Sequence, residues 1–152
     1  MQAATAHTYE TEVVWTGARE GELHSTGLPP LEVTAPPELG GHPGMWTPEH
    51  YLVAAVSTCL MTTVIAVADA SHLPIVAFRC TGWGTLEETG GPGMEITQVV
   101  LEPHLTLADP SQREQAIRVL EKAERNCFIS RSIKAHVKLL PTIEIASRRA
   151  AA

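Results

Sequence analysis

The chain has 152 residues, of which 44% are hydrophobic and 18% are charged, and its 11 Lys and Arg against 17 Asp and Glu give a net charge of -6. This size and apolar content exclude a disordered segment and suit one domain with its own core, which we predict over residues 1–152. The negative charge argues against nucleic acid and anionic membrane surfaces as partners.

The N-terminal segment MQAATAHTYETEVVW has no basic stretch followed by an apolar one. Nothing in it therefore predicts secretion, and we expect a cytoplasmic protein.

The first third of the chain has the pattern of short strands. Residues 8–16 are rich in Thr and β-branched types, residues 17–21 supply a turn, and the chain returns over GELHST. This pattern predicts a β-hairpin, and residues 31–34 predict a third short strand. Residues 35–44 contain three Pro and three Gly, which predicts an ordered loop.

A long helix is predicted to begin at Pro48. Thr47 is a suitable N-cap, Pro48 suits the first helical position, and Glu49 is an acid near the positive end of the helix dipole. Residues 51–68 contain no charged residue, a length at the lower edge of a membrane span. Interrupting Ser and Thr residues favour a helix buried on nearly all faces, partly by a second copy of the chain.

The second half of the chain predicts two longer strands, a helix and a final strand. Residues 75–86 and 94–107 form a hairpin around GGPG at 90–93. A helix follows Asp109 and ends near Asn126. Its predicted apolar stripe consists of Ala116, Ile117, Leu120 and Ala123. Residues 130–135 suggest a helical turn, and residues 136–145 predict the last strand.

Three cysteines occur at positions 59, 80 and 127, without Cys-x-x-Cys spacing. An odd number without that spacing argues against a structural zinc site and against a secreted disulfide framework, so no metal is predicted. No glycine-rich dinucleotide fingerprint is present, and we predict no cofactor.

A cysteine attacks only as its thiolate, which needs a stabilising positive charge at neutral pH. Cys59 lies in the uncharged helix, where packing as a small hydrophobe is the ordinary interpretation. Cys127 lies at a partly polar helix end and is a better candidate for reactivity. Cys80 has no motif around it and is assigned to packing.

Several separated motifs occur in chain order. They are GAREG at 17–21, APPELGG at 35–41, TPEH at 47–50 followed by Ala54, Ala55 and Cys59, and Ala123-Glu124-x-x-Cys127-x-x-Ser130. Together they resemble the OsmC/Ohr family of osmotically inducible and organic hydroperoxide resistance proteins, from about residue 13 to residue 143.

The resemblance implies an α+β, two-layer fold with antiparallel sheets around a long buried central helix, in an intertwined homodimer. It implies a peroxidatic role for Cys59 and a resolving role for Cys127, with Arg19 and Glu49 as a pair that orients and stabilises the thiolate. The implied substrate is an organic hydroperoxide, with hydrogen peroxide as a further candidate. The implied reductant is an external thiol, either a lipoylated protein or another thiol system.

Helix geometry constrains how Glu49 could serve Cys59. Ten residues at 1.5 Å rise span about 15 Å along a regular helix, which is too far for contact. Either the helix is broken, or the Glu49 that serves one Cys59 belongs to a second subunit. We expect the second option and therefore a dimer.

One position departs from the family pattern. The best-known branches have Pro directly after the second cysteine, whereas this chain has Phe128. Phe128 could line an apolar pocket with Met45, Trp46 and Met61, which would suit an alkyl or lipid hydroperoxide. Ordinary core packing is the alternative for each of these residues.

Other functions stay open from the sequence. A binding or redox-sensing protein could keep the same fold without turnover. The presence of Arg19, Glu49, Cys59 and Cys127 together favours the enzyme over that alternative. A thioredoxin-like peroxiredoxin is disfavoured, because Val56 occupies the threonine position of a T-x-x-C pattern.

Overall fold

A computed structural model of the chain describes residues 6–147. Residues 1–5 and 148–152, which the predicted domain includes, lie outside the described residues. The chain divides into two compact units, Met1–Tyr51 and Leu52–Ala152, and each is described by itself. The expectation of one domain stays a prediction.

The first unit contains a three-stranded antiparallel sheet in the order β1-β2-β3. Its strands are β1 (Glu12–Gly17), β2 (Glu20–His24) and β3 (Leu31–Thr34), so the predicted hairpin and third strand are confirmed. β1 begins at residue 12 rather than residue 8, because Glu12 pairs with His24, the last residue of β2. The loop after β3 contains one turn of 3-10 helix, Pro37–Leu39.

Helix α1 runs without a break over Pro48–Ala70. Thr47 caps it as predicted, since its buried hydroxyl oxygen accepts the His50 backbone N–H at 3.4 Å. Because α1 is continuous over Pro48–Ala70, the alternative of a broken helix is wrong.

Within the second unit, α1 is buried along one stripe only. Val56, Leu60 and Val64 are at most 1% exposed, whereas Met61 is 41% and Ile65 is 38% exposed. One sheet and one further helix of the same chain cover only one side of α1, so burial of the other faces by a second copy stays a prediction. By length and composition α1 could cross a membrane, but core helices pass the same test.

The second unit has a mixed sheet built around β5 (Met94–Leu107). β4 (Ala77–Glu88) pairs with β5 antiparallel, which confirms the second hairpin. β6 (His136–Leu139) and β7 (Thr142–Ile145) both pair with β5 in parallel. The predicted single last strand is wrong, because it is interrupted where Pro141 lies level with Pro103 and neither residue has an N–H to donate.

The core of the second unit lies between this sheet and the two helices, α1 and α2 (Arg113–Asn126). α2 buries Ala116, Val119, Leu120 and Ala123, a stripe with helical spacing. Ile117 was predicted in this stripe, but it is 45% exposed, because it lies about 100° around the helix from Ala116.

Two glycines of β4 allow close packing of α1. A Cβ on Gly82 would come within 2.9 Å of Val53 Cγ1, and one on Gly84 within 2.8 Å of Val53 Cγ2. The glycines thus fix how closely the segment of α1 before Cys59 approaches the sheet.

Candidate active site

Cys59 lies on α1 at the edge of its buried stripe, next to the buried Leu60 and two residues before the exposed Met61. Its side chain is half-buried. Thr63, one helical turn further on, donates its hydroxyl to the Cys59 carbonyl oxygen at 2.8 Å. This position leaves the Cys59 sulfur in contact with both the protein and the surface.

Cys127 caps the C-terminus of α2. Its backbone leaves the helix at φ -67° and ψ 110°, and its N–H donates to the Glu124 carbonyl at 3.4 Å. The chain then enters a turn of 3-10 helix, Ser130–Ser132, and the Arg131 N–H donates back to the Cys127 carbonyl at 3.2 Å. The side chain of Cys127 is 0% exposed.

The structure brings the two sulfurs together within the second unit. Burial raises the pKa of Cys59, but hydrogen bonds to its sulfur outweigh it and hold that pKa below its ordinary value. The main donors are the backbone N–H of Ile129, the thiol of Cys127 and the backbone N–H of Phe128. Because these bonds favour the charged form, Cys59 is the sulfur that ionises first.

Cys127 has the opposite character. Burial raises its pKa, and the nearby Cys59 raises it further, while the hydroxyl and N–H of Ser130 oppose both effects without cancelling them. The Ser130 hydroxyl donates to Cys127 Sγ at 3.1 Å. The pair therefore consists of Cys59, whose pKa is lowered, and Cys127, whose pKa is raised.

Cys80 lies on β4 and packs against the core of the second unit, which confirms its assignment to packing. Burial raises its pKa, and the charge of Glu102 raises it further. This thiol has neither of the features that favour nucleophilic attack, a low pKa and a neighbouring thiol.

Arg19 lies in the turn between β1 and β2 of the first unit. Ala18 before it has a positive φ of 45°, and the Arg19 carbonyl accepts the Thr34 hydroxyl at 3.2 Å and the Ala35 N–H at 3.1 Å. The side chain is exposed and passes close to Gly40. It borders an open hollow of about 380 Å³ whose walls are largely apolar.

Glu49 lies in the first turn of α1, and its Oε2 is buried. Across residues 6–147, this oxygen has no hydrogen-bond partner and no ion pair joins Glu49 to Arg19. The predicted pairing of Arg19 with Glu49 is therefore not made inside the first unit. Burying a carboxylate oxygen without a hydrogen-bond donor costs free energy, so a donor from another chain would stabilise it.

The four apolar residues predicted for the pocket divide between the two units. In the first unit, Met45 and Trp46 line two open hollows of about 430 and 220 Å³. In the second unit, Met61 is 41% and Phe128 is 75% exposed. Core packing is wrong for Met61 and Phe128, and also for Trp46, which is 53% exposed.

The sequence did not reveal most of the hydrogen-bond donors. Backbone N–H groups of Phe128 and Ile129 carry no residue signature, so no motif could indicate them. The two hydroxyls had a weak signal in their spacing, since Thr63 follows Cys59 by one helical turn and Ser130 follows Cys127 by three positions. Within residues 6–147, no three His, Cys, Asp or Glu side chains cluster in a way that could hold a metal ion.

Comparison with known proteins gives one family. Residues 41–140 match the family model for OsmC-like proteins. The chain is 30% identical over 139 residues to the uncharacterized protein YmaD of Bacillus subtilis, covering 88% of this chain and 91% of YmaD.

Solved structures agree with this assignment. An OsmC-like protein of unknown function from Vibrio cholerae superposes with a TM-score of 0.82 at 20% identity, covering 90% of this chain and 99% of that one. An organic hydroperoxide resistance protein OsmC from Legionella pneumophila superposes with a TM-score of 0.73 at 25% identity, covering 93% and 99%. The family resemblance and the OsmC-like fold are confirmed, whereas the homodimer stays a prediction.

Proposed function

The chain belongs to the OsmC-like family, and from this premise we propose that it is a cysteine-based peroxidase that reduces organic hydroperoxides to alcohols in the cytoplasm. One feature carries the proposal: the half-buried Cys59 lies within reach of the buried thiol of Cys127 in the same unit, and its pKa is lowered. A pair in which one sulfur ionises more readily than its neighbour has the arrangement that a two-cysteine peroxidase needs. The hydroperoxide resistance protein of Legionella pneumophila, at 25% identity, supports the same substrate class.

In the first step, the Cys59 thiolate attacks the terminal oxygen of the hydroperoxide and breaks the oxygen–oxygen bond. The sulfur is oxidised to sulfenic acid, and the alkoxide leaves with a proton as the alcohol. The N–H groups of Phe128 and Ile129 hold the sulfur as a thiolate before the attack.

In the second step, the Cys127 sulfur attacks the Cys59 sulfenic acid. A Cys59–Cys127 disulfide forms, and the hydroxyl leaves with the Cys127 proton as water. An external thiol then returns the disulfide to two thiols, taking the two oxidising equivalents as its own disulfide. No bound cofactor is required for this cycle.

The apolar side chains near the sulfurs favour an organic substrate. Phe128 and Met61 expose apolar surface in the same unit as Cys59. Contact with an alkyl or aryl group would remove that surface from water, a gain that hydrogen peroxide cannot provide. We therefore expect cumene hydroperoxide to be a better substrate than hydrogen peroxide.

We also propose that the working unit is a homodimer in which Arg19 and Glu49 act on the Cys59 of the other chain. The Glu49 Oε2 is buried and has no donor among residues 6–147, which supports the dimer because an arginine supplied on dimer formation would satisfy this oxygen. The exposed apolar residues of α1, including Ile65, supply surface for a second copy to cover. A stable and active monomer in analytical ultracentrifugation would contradict the dimer.

The test of the activity is a thiol count on the reduced protein before and after one equivalent of cumene hydroperoxide, with peptide mapping of any new disulfide. We expect loss of the Cys59 and Cys127 thiols, a link between them, and a free Cys80. Unchanged thiols would contradict the peroxidase and favour a binding or sensing protein instead.

A further inference from the structure

The two sulfurs of the proposed cycle differ in access. Cys127 is 0% exposed in a single chain, and assembly with a second chain would add cover rather than expose it. Cys59 is half-buried, and the proposed function requires that a hydroperoxide reach it. Any external reagent therefore meets Cys59 before Cys127.

Thiol–disulfide exchange adds a geometric condition. The attacking sulfur approaches along the line of the sulfur–sulfur bond, on the side opposite the leaving sulfur. A thiol that attacked Cys127 would have to reach a side chain that is 0% exposed. A thiol that attacked Cys59 would approach from the side away from Cys127, and the Cys59 side chain is only half-buried.

Ser130 gives Cys127 the features of a leaving group. Its hydroxyl donates to Cys127 Sγ at 3.1 Å, and its backbone N–H is a second donor to the same sulfur. These donors serve little purpose while Cys127 is a protonated thiol. They stabilise the sulfur at the moment when a broken disulfide leaves it with a negative charge.

We propose, on the basis of the proposed peroxidase function, that the external thiol enters at Cys59 and that Ser130 is a further catalytic residue, which stabilises Cys127 as the departing thiolate. The reaction balances as follows. The thiolate of a dithiol attacks Cys59 Sγ, forms a mixed disulfide there and breaks the bond to Cys127, which leaves as a thiolate and takes up a proton. The second sulfur of the dithiol then closes on the first, releasing Cys59 as a thiolate and the reductant as a cyclic disulfide.

The site of entry is tested on the wild-type protein. The Cys59–Cys127 disulfide is formed with diamide, treated briefly with the monothiol glutathione, quenched with N-ethylmaleimide and mapped by peptide mass spectrometry. We expect glutathione on Cys59 and maleimide on Cys127. Glutathione on Cys127 with maleimide on Cys59 would overturn the proposal, and so would failure of diamide to form the disulfide.

The role of Ser130 is tested by stopped-flow reduction of the same disulfide with dithiothreitol. Ser130→Ala should slow reduction by about three- to tenfold, because the leaving thiol loses a hydrogen bond to its charged form. Ser130→Thr, which keeps a hydroxyl, should restore most of the rate. The matched control is Ser132→Ala in the same turn, because the Ser132 hydroxyl donates to the Phe128 carbonyl at 2.7 Å and not to a sulfur.

These outcomes are separate from those of the peroxidase test. Diamide replaces the hydroperoxide, so the entry site and the Ser130 effect are measured even on a protein that does not consume peroxide. Equal reduction rates for Ser130→Ala and wild type would overturn the role of Ser130. If Ser130→Ala does not fold, the mapping on wild type still decides the point of entry.

Discussion

The two thiols, Cys59 and Cys127, and the two charged residues, Arg19 and Glu49, differ in whether a single chain supplies their hydrogen-bond partners. In the second unit, Cys59 and Cys127 meet, and each has donors from the same unit. In the first unit, Arg19 is exposed and the buried Glu49 Oε2 has no partner among residues 6–147. Both segments carry motifs of equal clarity in the sequence, yet only one is completed inside its own unit.

This difference shows that the thiolate does not depend on the arginine alone. The sequence predicted that a reactive cysteine needs a cation. In the second unit, backbone N–H groups already lower the pKa of Cys59. We infer that the charged pair acts mainly on the hydroperoxide and on the orientation of the thiolate, and that the N–H groups act on its ionisation.

The largest effect is expected from loss of the nucleophile. Cys59→Ser should reduce hydroperoxide consumption to the uncatalysed background, because a serine hydroxyl does not ionise at neutral pH. Cys80→Ser is the matched control and should keep its activity, since Cys80 packs against the core. Consumption is measured by a xylenol orange assay, and an active Cys59→Ser variant would remove the nucleophile assignment.

The charged pair should give the next largest effect. Arg19→Ala is expected to lower kcat/KM for cumene hydroperoxide by about ten- to a hundredfold, the loss of one hydrogen bond to a charged group. Arg79→Ala is the control, because Arg79 is an exposed arginine of β4 that contacts His104 Nδ1 at 3.0 Å. Equal losses for both variants would show a general charge effect rather than a role for Arg19.

A smaller effect tests the backbone donors directly. Phe128→Pro removes the N–H that donates to Cys59, whereas Phe128→Ala keeps it. The extended ψ of 110° at Cys127 is compatible with a following proline. Phe128→Pro should raise the pKa of Cys59 and slow its alkylation near neutral pH up to about tenfold, because the thiolate loses one hydrogen-bond donor.

The pH dependence follows from the sign of this shift. Alkylation of Cys59 requires the thiolate, so its rate falls as the pH drops through the lowered pKa, and Phe128→Pro should move that fall to higher pH. Iodoacetamide labelling with mass spectrometry measures the profile. A profile for Phe128→Pro that coincides with that of Phe128→Ala would contradict a role for the N–H.

The smallest gain in activity is expected when two impaired variants are mixed. If Arg19 acts on the Cys59 of the other subunit, a refolded mixture of Cys59→Ser and Arg19→Ala should regain about a quarter of wild-type activity, since half the dimers are mixed and each has one intact site. A mixture of Cys59→Ser and Cys127→Ser is the control, because both changes fall in the second unit. No gain in the first mixture would place Arg19 and Cys59 in one chain, or Arg19 outside the site.

Local patterns predicted much of the fold. β3 and β5 have the predicted bounds, and Thr47 caps α1 as expected. Each of these features depends on alternation or capping over a few neighbouring residues. The errors fall where distant residues decide, as at Pro141, whose effect on the last strand depends on Pro103 lying beside it.

The sequence by itself determined most of the elements and the family, because periodicity, caps and motif order are properties of residues close in the chain. The tertiary structure alone decided that Cys59 and Cys127 meet, that Cys59 has the lower pKa, and that Phe128, Ile129 and Ser130 supply the donors. The pKa of a thiol depends on the atoms around the sulfur, and those atoms come from segments that only folding brings together.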